Sequence, residues 1–434
     1  MKKERGICEL YQDDAERADR LVFGRETGAS RRGFLKGAGL AAMGAVVGGS
    51  IPFHRSMPGG LIPAALAEER KPYTIEGKDG LTVHNDRPLN AETPAHLLDP
   101  DVTPTRNFFI RNNGIPPENT SPDGWTLDID GEVNQPLKLT IADLKSRFEV
   151  VTQRLQLECG GNGRAGFNPP ARGNQWTVGA VGNAEWTGVR LRDVLQEAGV
   201  KSSAVYTGHF GADSHLSGDP AKAALSRGMP MEKAMNEHTL LVWAMNGEDM
   251  HPQNGAPLRI LAPGWPGSTS QKWVTRIWVR DQVHDGQGMT GMSYRVPRYP
   301  VAPGAEVPTE DFQIIESMPI KSVITSPESG HSVSGGQKSL EVRGHAWAGD
   351  RAVKAVDVSH DFGATWKPAK LDPPPNPYSW QRWSATIDFP TQGYYEIWAR
   401  ATDDAGVMQP FTVTWNPRGY LNNALHRIAV TVDA

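Results

Sequence analysis

A proline-dense stretch at 296–308 divides the chain into two textures that one pair of packed layers does not accommodate. Beyond it, the segments 339–343, 353–359, 382–387, 395–401 and 412–415 alternate apolar and polar residues. Turns such as Asp361-Phe362-Gly363 and Asp404-Ala405-Gly406 separate them, with almost no helical periodicity. Regularly spaced short strands predict a β-sandwich of immunoglobulin type over 306–434. Before the break, 106–305 reads as a mixed α+β domain. Residues 125–129 alternate like a half-buried strand ending at Asp130-Gly131. Thr140 is placed to cap a helix over 141–148, and the helical pattern at 191–198 stops at Gly199. Residues 68–105 are polar and proline-punctuated and predict an extended lead-in.

The chain has 434 residues, 38% of them hydrophobic and 22% charged, which suits two or three globular domains. A net charge of -4 with no long basic run argues against a nucleic-acid partner. Ser30-Arg31-Arg32-Gly33-Phe34-Leu35-Lys36 has the form of a twin-arginine signal, followed by a Gly/Ala-rich apolar run at 37–53 and the A-x-A site Ala65-Leu66-Ala67. That run is too short and glycine-rich for a membrane span. The expectation is export of a folded protein to the periplasm, with 1–67 removed and no membrane span left. Only Cys8 and Cys159 are present, so the processed chain keeps one thiol. A disulfide, a CxxCH haem site and a four-cysteine cluster are thereby excluded within it.

That thiol ends an alternating stretch and opens a glycine-rich loop, Arg154-Leu155-Gln156-Leu157-Glu158-Cys159-Gly160-Gly161-Asn162-Gly163-Arg164-Ala165-Gly166. Glycines let backbone approach a bulky group, and a nearby arginine favours the thiolate, a soft ligand for a transition metal. A buried apolar thiol and a nucleophilic cysteine remain alternative readings of the same residues. Gly161-x-Gly163-x-x-Gly166 also matches a dinucleotide fingerprint, but Asn168-Pro169-Pro170 prevents the helix that fingerprint needs. The 12 histidines include no pair with the i, i+4 spacing of a helical zinc site.

Several separated motifs resemble the sulfite oxidase family of molybdopterin enzymes. They are Phe108-Phe109-Ile110-Arg111-Asn112-Asn113, Cys159-Gly160-Gly161-Asn162-Gly163-Arg164, Gln175-Trp176-Thr177-Val178-Gly179-Ala180 and Glu185-Trp186-Thr187-Gly188-Val189. Further on come Ala256-Pro257-Leu258-Arg259, Pro263-Gly264, Lys272-Trp273-Val274 and Trp415-Asn416-Pro417-Arg418-Gly419-Tyr420-Leu421. The resemblance runs from about Asn107 to Ile428. It implies a molybdopterin domain followed by an immunoglobulin-like dimerisation domain, a molybdenum-molybdopterin cofactor, and Cys159 as the protein's sulfur ligand to molybdenum.

By the same resemblance, Arg111, Arg164 and Arg418 line a pocket for the sulfite dianion and Trp176 walls it. Tyr294 hydrogen-bonds substrate or relays protons, with Tyr299 the alternative. Arg259 and Lys272 hold the pterin's phosphate and ring system, with Asn112, Asn113, Asp213, Asn254 and Ser270 around the cofactor. Asn113 and Asn254 stand where many members carry histidine. With no haem site in the sequence, electrons are expected to leave to a separate c-type cytochrome. The function implied is a periplasmic sulfite dehydrogenase acting as a homodimer. The alternatives are the molybdenum subunit of a sulfane dehydrogenase, a molybdopterin nitrate reductase and a non-catalytic periplasmic binding protein.

Overall fold

The computed structural model describes residues 73–334, 336 and 338–433. The twin-arginine signal and cleavage site expected over 1–67 lie outside the described residues. From Thr74 onward the chain forms one compact unit.

Among the described residues, two five-stranded sheets, one three-stranded sheet and three short α-helices build the first half. One sheet runs Leu137–Thr140, Thr126–Gly131, Val274–Arg280, Tyr206–Gly211, Gly228–Pro230, with Thr126–Gly131 and Val274–Arg280 parallel. Leu127 and Ile129 are wholly buried while their neighbours in the strand are not, the alternation a one-faced strand requires. The other five-stranded sheet runs Glu248–Asp249, Leu240–Met245, Val181–Arg190, Val150–Glu158, with Arg259–Leu261 paired to Leu240–Met245. The helices Ile141–Arg147 and Leu191–Ala198 contribute Leu144, Val194 and Leu195 to the core between these layers. Thr140 and Asp143 close the first helix with a reciprocal capping box, and Gly199 ends the second at φ 68°.

The stretch before residue 105 is not an extended lead-in. Thr82–Asp86 and Leu89–Glu92 form a hairpin that continues into Ile110–Arg111 as a three-stranded sheet. Asn90, Ala91, Glu92 and Thr93 are buried, and the Glu92 carboxylate accepts from Thr177 N–H (2.9 Å) and its hydroxyl (3.0 Å). This segment is the floor beneath the arginine motif.

The second half is a two-sheet sandwich. Lys321–Ser326, Ser339–Trp347, Gln381–Asp388 and Lys370–Leu371 form one sheet. His331–Val333, His426–Val432, Gly393–Asp403, Val353–Ser359 and Lys367–Pro368 form the other. Val342, Trp383, Ile387, Val356, Ile397, Ala401 and Val430 fill the space between them. Across the proline-rich stretch, Arg295–Pro297 pairs with Phe312–Ile314. The alternating stretch at 412–415 forms no strand. Instead it leaves the sandwich, and Trp415 donates to the Pro169 carbonyl at 2.9 Å. Its alternation therefore marks a crossing strap. That strap delivers Arg418 and Tyr420 to the first half.

Candidate active site

Cys159 lies where the strand Val150–Glu158 ends, with its N–H bonded to the Ala180 carbonyl (2.9 Å) and its own carbonyl accepting from Asn162 (2.8 Å). The loop that follows is held from both halves of the chain. Glu158 is 1% exposed and receives Lys321 Nζ (2.5 Å), Trp347 Nε1 (2.7 Å) and Asn162 Nδ2 (3.0 Å). Lys321 and Trp347 belong to the sandwich, as does Asn422, whose amide donates to the Gly163 carbonyl at 2.8 Å. Gly163 adopts φ 89°, and a side chain at Gly161 would collide with the Arg164 guanidinium. The glycines thus let the loop turn while Arg164 folds back over it.

The Cys159 thiol sits between two cavities. Arg111, Asn113, Cys159, Leu225 and Tyr294 line both of them. Cys159 is 7% exposed and belongs to an apolar cluster with Leu155, Leu157 and Trp186. It is nevertheless not sealed by that cluster, because its far side opens on these spaces.

The outer cavity, about 350 Å³, opens to solvent and is also lined by Arg164, Arg172, Arg418, His215 and Tyr420. Arg164 Nε donates to the Arg418 carbonyl (2.7 Å) and its NH1 to the Asn174 carbonyl (2.9 Å). Burial lowers its pKa, opposed by Cys159 and Tyr420. Arg111 reaches the Tyr294 hydroxyl at 3.3 Å and Asn90 Oδ1 at 3.4 Å. Burial opposes the Arg111 charge too, but Tyr294, Cys159 and Tyr420 outweigh it and raise the pKa above the ordinary guanidinium value. The Tyr294 hydroxyl also lies 2.9 Å from both amide atoms of Asn113. Fixed cations converging on one thiol in a low-dielectric setting attract a small oxyanion.

The inner cavity is lined by Phe108, Phe109 and Trp273 together with residues of the segment 267–272. Arg259 is fixed by donation to the carbonyls of Asn254 (2.6 Å) and Ser270 (3.0 Å), and burial pulls its pKa to about 9. Lys272 donates to Asn112 Oδ1 and to the Gln253 carbonyl (2.8 Å). Burial and then Arg259 push its pKa well down, against Asp213. Asp213 is itself raised to about 6 by burial, opposed by Lys272. Asn254 and Ser270 line the same space, and Ser270 Oγ accepts from Ala262 N–H at 2.9 Å.

This chamber fits a polar, anionic organic group. Arg259 Nε, Ser268 Oγ and Gln271 Oε1 are buried without partners, although buried polar atoms are normally hydrogen-bonded. Two buried cations there are depressed by desolvation, which a phosphate would reverse. The cavity offers one protein sulfur, Cys159, so a metal held there needs its remaining ligands from the organic group.

Most residues anticipated from the sequence converge here; Trp176 does not. It is 0% exposed, packs edge-on against His84 at 4.8 Å and lines neither cavity. A main-chain bond from Ala165 N–H to its carbonyl (3.0 Å) turns it beneath the cysteine loop, where it fills core. Tyr299 is 48% exposed and donates to Asp311, outside both cavities, so of these two tyrosines only Tyr294 lines the pocket. Lys78, Gln253 and Tyr420 were missed. Tyr420 sits in the motif that carries Arg418, so proximity was a usable signal. Lys78 gives none: its ammonium reaches Asn254 Oδ1 (2.5 Å) and the Thr105 carbonyl (2.6 Å) through folding alone, and burial lowers its pKa to about 7.

A molybdopterin oxidoreductase is the class that this fold and chamber define. Residues 113–288 match the oxidoreductase molybdopterin binding domain, and residues 312–433 the Mo-co oxidoreductase dimerisation domain. The chain belongs to the sulfite oxidase family. It is 34% identical to sulfite oxidase from Gallus gallus over 368 residues, covering 80% of this chain and 77% of that protein. It is 35% identical to mitochondrial sulfite oxidase from Homo sapiens over 400 residues, covering 85% and 69%. The crystal structure of the sulfane dehydrogenase SoxCD from Paracoccus pantotrophus superposes with a TM-score of 0.68 at 26% identity, covering 89% of this chain and 99% of that one. The chain is a molybdenum-dependent oxidoreductase acting on a sulfur donor, with a molybdopterin cofactor.

Proposed function

We propose that the protein is a periplasmic sulfite dehydrogenase that oxidises sulfite to sulfate and passes electrons to a separate c-type cytochrome. The observation that carries this reading is the position of Cys159, at the wall shared by an inner cationic chamber and an open arginine-lined one. Cys159 would supply the single protein sulfur to molybdenum, and Arg259, Lys272, Ser270, Asp213 and Asn254 would hold the pterin in the inner chamber, with Asn112 orienting Lys272 from the outer side. The cofactor, when bound, supplies the two-electron redox chemistry. Everything else belongs to side chains. Arg111, Arg164 and Arg418 draw the dianion to the thiol's side and neutralise it there. Tyr294, hydrogen-bonded to Asn113 and Arg111, presents its hydroxyl to the same point and is placed to hold a proton. Asn113 does not titrate, so its bond to that hydroxyl persists across pH.

Export rests on the twin-arginine sequence at 30–36. A homodimer through the sandwich fits its match to a dimerisation domain, and Phe362 and Phe411 there are 58% and 60% exposed.

One observation favours a second reading. The outer cavity, about 350 Å³ and open to solvent, exceeds what sulfite alone occupies. A sulfur chain carried on another protein would enter it, as a sulfane dehydrogenase requires. Steady-state turnover of free sulfite with ferricyanide or cytochrome c separates the two. We expect turnover by the isolated, molybdenum-loaded protein. Silence toward sulfite, with turnover of a persulfide-bearing carrier, would transfer the assignment to the second reading.

A further inference from the structure

Arg227 is 0% exposed, yet its hydrogen-bond partners are two carbonyl oxygens, Tyr294 O from NH1 (3.2 Å) and Ile315 O from NH2 (3.1 Å). Glu316 acts on it only through space, and burial, the largest influence, lowers its pKa. A buried guanidinium without a contacting carboxylate is an expensive feature for a fold to keep. Its position indicates its use. The guanidinium lies over the Tyr294 ring, 5.2 Å from its centre. Tyr294 and Tyr420 stack at 5.6 Å with 24° between their planes, and Arg164 caps Tyr420 at 5.1 Å.

Four side chains from four distant parts of the chain therefore form one column: cation, phenol, phenol, cation. Such contacts are favourable because each ring presents its electron-rich face to a guanidinium. The column has a second anchor in the backbone. Tyr294 adopts φ 55°, a left-handed conformation that a residue with a Cβ holds only against a cost. Its carbonyl is pinned there by Arg227 and by Ile315 N–H at 3.1 Å, so Arg227 ties together the two sides of the Arg295–Pro297 and Phe312–Ile314 pairing.

We propose that Arg227, which lines neither cavity, is a positioning residue that acts through Tyr294, and that the Arg227–Tyr294–Tyr420–Arg164 column sets the Tyr294 hydroxyl on the oxyanion pocket. This rests on the oxyanion reading of that pocket. Tyr420 arrives on the strap from the sandwich, and Asn416 fixes it by bonding both its carbonyl (2.9 Å) and its N–H (3.0 Å).

The test is a double-mutant cycle on the purified full-length protein, with inorganic sulfate binding read by calorimetry. Arg227→Met is expected to weaken sulfate about tenfold in the parent and less than about twofold in a Tyr294→Phe background, where no hydroxyl remains to be positioned. Equal losses in both backgrounds would overturn the proposal, because a generally loosened fold acts regardless of the hydroxyl. If Arg227→Met does not fold, Arg227→Lys, which keeps the charge but cannot span both carbonyls, and Tyr420→Leu carry the same cycle with the same two outcomes. Sulfite turnover by the parent is measured alongside. A parent that binds sulfate without oxidising sulfite removes the proposed function and leaves the column to be decided by the cycle. A parent that binds no sulfate overturns the column's assigned purpose.

Discussion

Cys159→Ser is expected to reduce sulfite turnover by more than about a hundredfold while leaving the fold intact. Residues that merely orient a metal's ligands cost about 10–100-fold when replaced, and the ligand itself sets a higher floor. Serine is nearly isosteric but presents a hard oxygen in place of a soft sulfur. The site tolerates the exchange structurally, because the residue's main-chain bonds to Ala180 and Asn162 do not involve the side chain. Turnover by the ferricyanide assay, with circular dichroism as the folding control, checks it. Retained activity would return Cys159 to the ordinary role of a small buried residue.

Lys321→Met is expected to destabilise the protein by about 3–5 kcal/mol, the usual consequence of removing one partner from a buried ion pair. The Lys321–Glu158 pair spans 2.5 Å at 8% and 1% side-chain exposure, so solvent compensates the lost ammonium poorly. The carboxylate is left with Trp347 and Asn162 as donors, one residue before Cys159. A drop in molybdenum content should accompany the loss, since this pair anchors the cysteine loop to the sandwich. The double variant Glu158→Gln/Lys321→Met should recover part of the stability by removing the orphaned charge. Urea midpoints of the parent and the two variants decide it. A single variant as stable as the parent would mean the pair contributes nothing.

Legibility in the sequence followed the range of the interactions involved. The helices at 141–147 and 191–198 were readable because their stop and start signals, Thr140 with Asp143 and then Gly199, are local. The sandwich was readable from alternation, which a sheet with one buried face imposes residue by residue. The same signal misled at 412–415, where the alternating residues cross to the other half instead of pairing. It also went unused at His426–Val432, where Ile428, Val430 and Val432 are buried in turn. The polar look of 68–105 concealed its hairpin, because Asn90 and Glu92 are buried against partners from other segments, Asn112 and Thr177.

The site divides along the same line. Cys159, Arg111, Arg164, Arg259 and Lys272 each sit in a short motif, and the fold brings all five to the two cavities. Trp176 sits in one as well, and motif membership alone placed it in the wrong environment. Lys78 meets Asn254 across 176 residues, and Arg227 meets Tyr294 across 67. No spacing rule encodes contacts of that kind; they exist only once both sheets, the hairpin and the strap have assembled.

The central claim, that the chain's one described thiol is a metal ligand, is tested most directly by X-ray absorption at the molybdenum edge. Wild-type protein and Cys159→Ser, each matured with molybdate, would be compared. The variant is expected to retain molybdenum but lose one sulfur from the metal's nearest neighbours. An identical sulfur count in both proteins would contradict it.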